Sequence, residues 1–326
     1  MTVLVTGGAG FIGAHLCRNL LADGHKVVVL DGMNAQQLQT ATELRMPDIK
    51  DKVTLVSGDI CNFPFIFETL RAHDVQEIIH TAAITFVPTA IKNPSLTFKV
   101  NVEGSFNLLE AARILDLKRF LYISTSSVYG DFQTDLVNET HPLEPKDIYG
   151  ATKLAADRLT LSYFKTYGLP ASIVRTTSVY GPGDLENRAA KIFIENALLG
   201  KDITLEGGGT QKRSFSYVKD VARGINLMFA SRLNGEVVHI AGNQDYTIRE
   251  LADVIARHIP HTRFVDTPAR QIDVNRGRLD ISKAKKLLGY VPEFTLEKGI
   301  TDYVRWMAQT YFPFFKMEMK NKPVVI

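Results

Sequence analysis

Eight residues near the start of the chain, Thr6-Gly7-Gly8-Ala9-Gly10-Phe11-Ile12-Gly13, constrain its fold more than any other stretch. They follow the apolar run Val3-Leu4-Val5. They precede His15-Leu16-Cys17-Arg18-Asn19-Leu20-Leu21, whose apolar spacing is helical and is expected to end at Gly24. A glycine turn between a buried parallel strand and a helix lets the backbone approach a pyrophosphate, whose charge then sits at the helix N-terminus. The glycines fit both G-x-G-x-x-G (8, 10, 13) and G-x-x-G-x-x-G (7, 10, 13). The next apolar run, Lys26-Val27-Val28-Val29-Leu30, ends on Asp31, near the spacing at which a carboxylate meets adenosine ribose hydroxyls. A carboxylate there repels a 2′-phosphate, and Gly32-Met33-Asn34 brings no Arg or Lys to receive one. NAD is therefore expected over NADP. Gly7, Gly10, Phe11, Ile12, Gly13 and Asp31 are the first candidate cofactor residues.

Short apolar runs continue to alternate with helical patterns. Residues 53–56, 77–80, 120–124 and 171–174 read as strands, and 63–73, 95–115 and 148–167 as helices. That alternation predicts an α/β fold, a Rossmann-type doubly wound parallel sheet with ligand at the carboxyl ends of its strands. Asp59-Ile60, His80-Thr81-Ala82-Ala83 and Ser124-Thr125-Ser126-Ser127 all fall on that edge. After residue 176 the texture changes. Tyr180-Gly181-Pro182-Gly183 and Glu206-Gly207-Gly208-Gly209 punctuate shorter elements: a strand at 203–206 and helices at 189–199, 218–231 and 247–258. The expected division is an NAD-binding domain over 1–176 and a smaller, mainly substrate-binding α/β domain over 177–326. The chain is expected to cross back to the first domain around 215–240.

The remaining features narrow the class. A net charge of +3 over 326 residues, with no basic run, argues against nucleic acid. No apolar stretch approaches the ~18 residues of a membrane span, and the first strand opens at once, so a cytoplasmic location is expected. Cys17 and Cys61 lack metal or redox spacing, so no metal site is expected and Cys17 reads as a small core residue. His80, at the end of a strand, reads as a packed, hydrogen-bonded histidine. The aromatic ending Tyr311-Phe312-Pro313-Phe314-Phe315 reads as a tail packed on its own domain.

Tyr149-Gly150-Ala151-Thr152-Lys153 places a phenol and an ammonium four residues apart at the start of a helix, on one face. A neighbouring cation favours phenolate, so Lys153 is expected to lower the pKa of Tyr149. Thr125 lies 24 residues upstream, at the end of a sheet strand.

Together these residues resemble the extended short-chain dehydrogenase/reductases, and within them the nucleotide-sugar epimerases and dehydratases. The resemblance spans nearly the whole chain. It takes in the glycine turn, Asp31, Asp59-Ile60, Ala82-Ala83, Asn101, Thr125 and the Tyr149/Lys153 pair. Further on it includes Tyr180-Gly181-Pro182-Gly183, Arg213-Ser214-Phe215, Asp220-Val221-Ala222, Asp280-Ile281-Ser282-Lys283-Ala284 and Leu288-Gly289-Tyr290. It implies that Tyr149 is the general base toward a sugar hydroxyl. Lys153 is then the residue that binds the nicotinamide ribose, and Thr125 the hydroxyl bonded to the reacting oxygen. Asp59 and Ile60 become adenine contacts, and Ala82, Ala83 and Asn101 join the cofactor side. Asn101, which opens a helical pattern, reads equally as a cap or structural hydrogen-bonder. Arg213 and Arg270 match arginines that grip a substrate diphosphate, although both also read as surface charges. A homodimer is implied, with helices 101–115 and 148–167 in a four-helix seam. Leu108, Leu109, Ala112, Leu115, Leu154, Leu161 and Phe164 would supply the seam unless they face the sheet.

The 4,6-dehydratases that the chain resembles carry an Asp-Glu pair directly after the catalytic Thr, and the decarboxylases a Glu at the second position. Here those positions are Ser126 and Ser127, which cannot act as carboxyl acids or bases near neutral pH. Epimerisation at C4 of a nucleotide-diphosphate sugar is the expectation. Net-redox, dehydratase, decarboxylase and non-catalytic NAD-binding readings stand behind it. Ser126 and Ser178 fall on the substrate side, Ser178 where many 4-epimerases have Asn. Gly277 matches a position bordering the sugar C2 substituent, which would leave room for an acetamido group, or else it simply permits a turn. Arg188, Arg276 or Arg278 would suit a sugar carboxylate.

Overall fold

In a computed structural model that describes residues 1–269 and 277–314, the apolar run Val3-Leu4-Val5 lies wholly buried in strand β1 (Thr2–Thr6). Its side chains serve both faces of the sheet. Val3 and Val5 join one core with Leu16 and Leu20, while Leu4 joins a second with Leu108 and Phe120. That two-sided burial is why the strands read as continuous apolar runs instead of alternating ones. Six more strands complete the sheet: β2 (Lys26–Asp31), β3 (Thr54–Ser57), β4 (Glu77–His80), β5 (Arg119–Thr125), β6 (Ala171–Thr176) and β7 (Val237–His239). The order is β7-β6-β5-β4-β1-β2-β3, and every neighbouring pair is parallel. The order reverses between β1 and β4, which opens a crevice at the strands' carboxyl ends.

Helices α1 (Phe11–Ala22) and α2 (Ala35–Arg45) cover one face; α3 (Phe63–Ala72), α4 (Gly104–Ile114) and α5 (Ile148–Tyr167) cover the other. Past β6 follow α6 (Ala189–Leu198), α7 (Val218–Ala230), α8 (Ile248–His258), α9 (Ser282–Leu288) and α10 (Leu296–Trp306). Short strand pairs accompany these helices: 203–206 pairs with 264–267, and 136–137, from the loop before α5, pairs with 278–279. After α7 the chain re-enters the main sheet as β7, hydrogen-bonded to β6.

Two departures from the sequence reading have local causes. The expected helix over 95–115 is broken. It starts as Pro94–Phe98, widens to a π-helical turn over Lys99–Glu103, and resumes as α4. Helix α2 carries no apolar stripe strong enough to announce it, and forms behind a capping box in which Asn34 and Gln37 satisfy each other's backbone N–H.

Of the residues named for a dimer seam, three take the alternative of facing the sheet. Leu108, Leu109 and Ala112 are fully buried against the chain's own sheet, while Leu115, Leu154, Leu161 and Phe164 are half-buried. The large apolar side chains left exposed around the same helices are Ile91, Leu96, Phe98, Phe106, Ile114 and Tyr167. Tyr311 and Phe312 pack on the core beside Trp306; Phe315 lies outside the described residues. No described helix is long and apolar enough to cross a membrane.

Candidate active site

The glycine turn leaves β1 and enters α1 with Gly10 as its N-cap and no side chain capping it. The first N–H groups of the helix, on Phe11 and Ile12, thus point out of it without an intrahelical acceptor. Gly7 has φ +66°, and a Cβ there would sit 2.9 Å from the backbone of Ala82, so the turn lies tight against the loop after β4. Thr6 Oγ1 accepts the Ala82 N–H (3.3 Å), and Ala83 follows in the same loop. His80 is buried beneath, bonded to Thr6 Oγ1 (2.7 Å) and Ser105 Oγ (2.8 Å), so it is spent on packing.

Asp31 ends β2 at the rim of the crevice and is 9% exposed. Burial pushes its carboxyl up. The N–H groups of Met33, Ala9 and Gly32 and the Arg45 guanidinium pull it back. Arg45, which the sequence did not single out, reaches in from the end of α2 to donate to Gly183 O (3.0 Å) and Ala9 O (3.3 Å). Asp59 Oδ1 accepts the Cys61 N–H (2.9 Å), and Ile60 is buried where a Cβ on Gly104 of α4 would strike it. A turn that approaches its ligand bare of side chains, open helix N–H groups and a carboxylate at the end of β2 fit a dinucleotide such as NAD.

The residues expected to be catalytic, Thr125, Tyr149 and Lys153, come from the end of β5 and the start of α5. Thr125 ends β5 and caps the turn Ser126–Tyr129, its Oγ1 accepting the Ser127 N–H (3.2 Å). Helix α5 starts on Asp147, which accepts the Gly150 N–H (2.7 Å). A Cβ on Gly150 would lie 2.6 Å from Ser127 O, so the first turn of α5 presses on the serine turn. This packing sets the turn that carries Tyr149 against the turn that Thr125 caps. Lys153 is 3% exposed; its Nζ donates to Ile123 O (2.7 Å) and lies 4.1 Å from the centroid of the Tyr122 ring. Burial pushes its pKa down to about 7, against the pull of Asp157. Asn101 sits in the π-helical turn and ties the loop after β4 to α5. Its amide bonds Ile84 N (2.8 Å), Ile84 O (3.1 Å) and Thr152 Oγ1 (3.1 Å).

The substrate-side candidates are less tightly assembled. Ser126 is 1% exposed behind Thr125. Ser178 holds φ +39°, a strained conformation for a serine, with its carbonyl taking the Ser216 N–H (3.1 Å). Arg188 caps α6 and meets Asp184 (3.3 Å), whose pKa burial raises to about 6. Arg213 lies in a two-residue strand paired with Tyr246-Thr247. Arg270 and Arg276 lie outside the described residues. Arg278 is engaged with Asn243 O and Asp245. A Cβ on Gly277 would run into the Asp135 carbonyl, so close packing by itself accounts for a glycine there. Thr176, in register with Thr125, has a buried hydroxyl with no hydrogen-bond partner among the described residues.

Residues 4–303 match the family model described as GDP-mannose 4,6 dehydratase. A relative from Methanocaldococcus jannaschii described as a putative UDP-glucose 4-epimerase is 34% identical, covering 94% of this chain and 98% of its own length. A dTDP-glucose 4,6-dehydratase from Streptomyces niveus is 33% identical, over 94% of this chain and 92% of its own. The crystal structure of UDP-glucuronic acid 4-epimerase from Bacillus cereus, in complex with UDP-glucuronic acid and NAD, superposes with a TM-score of 0.86. It is 31% identical and covers 95% of this chain and 99% of its own.

Proposed function

The chain belongs to the family described as GDP-mannose 4,6 dehydratase, and from that we propose that it is an NAD-dependent 4-epimerase of a nucleotide-diphosphate sugar. The observation that carries the choice of reaction is the pair of serines, Ser126 and Ser127, buried in the turn directly after Thr125. Elimination of water across C5 and C6 needs a carboxylate to take the C5 proton and an acid to release the hydroxyl. A serine does neither near neutral pH. What remains is chemistry that needs one base only.

Tyr149 removes the proton of the sugar 4-hydroxyl and later returns it. Lys153 holds positive charge beside that phenol and favours its ionised form. Thr125 donates to or accepts from the 4-oxygen and fixes it against Tyr149. NAD, when bound, supplies reversible hydride exchange with C4. The Gly10–Gly13 backbone receives its pyrophosphate, and Asp31 its adenosine ribose. Asp59, Ile60, Ala82, Ala83 and Asn101 shape the rest of that cleft. The substrate diphosphate falls to Arg213 and Arg270, with residues 177–326 forming most of the sugar side and Ser178 and Arg188 at its edge. The active species is a homodimer in the cytoplasm.

Incubation with UDP-, GDP-, CDP- and dTDP-sugars in heavy water, followed by NMR, tests the reading. A C4 epimer without solvent deuterium at C5 is the expected product. A 4-keto-6-deoxy sugar carrying deuterium, loss of carbon dioxide, or stoichiometric consumption of cofactor would each replace it with another reaction.

A further inference from the structure

Behind Thr125, Tyr149 and Lys153 lies a chain of buried polar side chains that the reaction as described does not use. Asp157 is one helical turn beyond Lys153 on α5 and is 0% exposed. Side chains at that spacing share a face, with Cβ atoms roughly 5–6 Å apart. Arg175, in β6 and in register with Ser124 of β5, grips Asp157 Oδ2 through Nε and Nη2, both at 2.9 Å. Asp157 Oδ1 has no hydrogen-bond partner among the described residues. Arg175 Nη1 donates to Tyr129 Oη (2.8 Å), and Tyr129 lies 2.5 Å from His239 Nε2. His239 Nδ1 is 3.1 Å from Asp280 O, which can only accept, so this nitrogen donates. Burial keeps the imidazole neutral, and Nε2 therefore accepts from Tyr129. Arg175 thus donates inward to Asp157 and outward to Tyr129, and the Asp157 carboxylate is the anion at the inner end of the chain.

A buried ion pair seldom adds net stability, so its presence beside a reacting pair calls for another role. We propose that Asp157, clamped by Arg175, is a positioning residue that holds the Lys153 ammonium in place and opposes the loss of its charge, and so favours ionisation of the Tyr149 phenol beside it. The burial of Lys153 makes such help necessary. Its Nζ has one backbone carbonyl and one aromatic face for company, and neither is a counter-ion. Without Asp157 the proton on Lys153 is lost more easily, and the phenol loses the charge that favours its ionisation. Around the two charges stand Arg175 from β6, Tyr129 from the serine turn, Tyr122 from β5, His80 from β4 and Tyr149 from α5 itself. Tyr122 and Tyr129 are raised by burial and His80 is lowered by it, so none of these three changes charge near neutrality.

The inference rests on Tyr149 being the base, not on which sugar reaction follows. It is therefore tested without turnover. Phenolate absorbance is titrated in the full-length protein with and without Tyr149→Phe, so that the difference reports Tyr149 alone. Asp157→Asn is expected to move the Tyr149 transition upward by about one to three pH units. Asp157→Glu, which keeps the charge, is expected to hold it near the wild-type position. An unmoved transition in a folded Asn variant, or equal displacement by Asn and Glu, overturns the inference. Should Asp157→Asn fail to fold because Arg175 is left unpaired, the neutral pair Asp157→Asn/Arg175→Gln removes both buried charges, and its transition must still move upward.

Discussion

Lys153 is held between the carbonyl of Ile123 and the face of the Tyr122 ring, with its Nζ 4.1 Å from the ring centroid. A lysine ionising at about 7 in the fold, against about 10.4 in the unfolded chain, binds fewer protons when folded across the window between those values. Stability is thus lowest below the folded value and rises with pH through that window, by at most about 1.4 kcal/mol per unit. Urea unfolding of the cofactor-free protein from neutral to alkaline pH should show this rise. Lys153→Met should flatten it.

Tyr149→Phe removes one oxygen at the end of a buried ring. Turnover should fall by about 10²–10⁴-fold, the usual contribution of a positioned base, with NAD affinity nearly unchanged. Retention of more than about a tenth of the wild-type rate would contradict the role of Tyr149 as base.

Asp31 and Arg45 together set cofactor preference. The carboxylate repels a 2′-phosphate, and Arg45 stands close enough to counter it once the carboxylate is gone. Calorimetry should show NAD bound more tightly than NADP by the wild type. In Asp31→Gly the ratio should shift toward NADP by about tenfold or more, equivalent to at least ~1.4 kcal/mol. Equal binding of the two cofactors by the wild type would remove the premise.

Asp184 is nearly sealed from solvent, and its pKa is raised to about 6 by burial, above its ordinary value. Between the unfolded and folded values the native state binds more protons, so stability falls as pH rises from about 4 to about 6. Asp184→Asn should lose this component, read as a smaller fall of the unfolding midpoint across that window than the wild type shows.

Dimerisation should depend on the side chains left outside, not on those under the sheet. Light scattering is expected to report a dimer for the wild type and a monomer for Phe98→Asp/Phe106→Asp, while Leu108→Ala should destabilise the fold by about 2–5 kcal/mol without favouring dissociation.

Much of the fold was legible because parallel strands buried on both faces announce themselves as short apolar runs. The glycine turn, Asp31, and Tyr149 with Lys153 are all local patterns. What stayed hidden depends on distant pairing. Arg45 sits 14 residues past Asp31 and meets it only because α2 folds back over the turn. Arg175 and Asp157 belong to different elements and look unremarkable in each. The π-helical turn that aims Asn101 at Ile84 leaves no signature in residue type. Which of the seam candidates face the sheet was left open for a related reason. Helix α4 is apolar on more than one side, so periodicity alone does not separate the face on the sheet from the face on solvent.

The return of the chain to the main sheet as β7, after the excursion through α6 and α7, bears on how such enzymes can be recombined. The half of the molecule proposed to meet the sugar is not an appendage beyond a single joint. A cut after residue 176 would strip β6 of its neighbour and leave a bare hydrogen-bonding edge where β7 belongs. Grafting the specificity half of one relative onto another therefore calls for three junctions, one after β6 and one on each side of β7, with the last strand kept in the recipient.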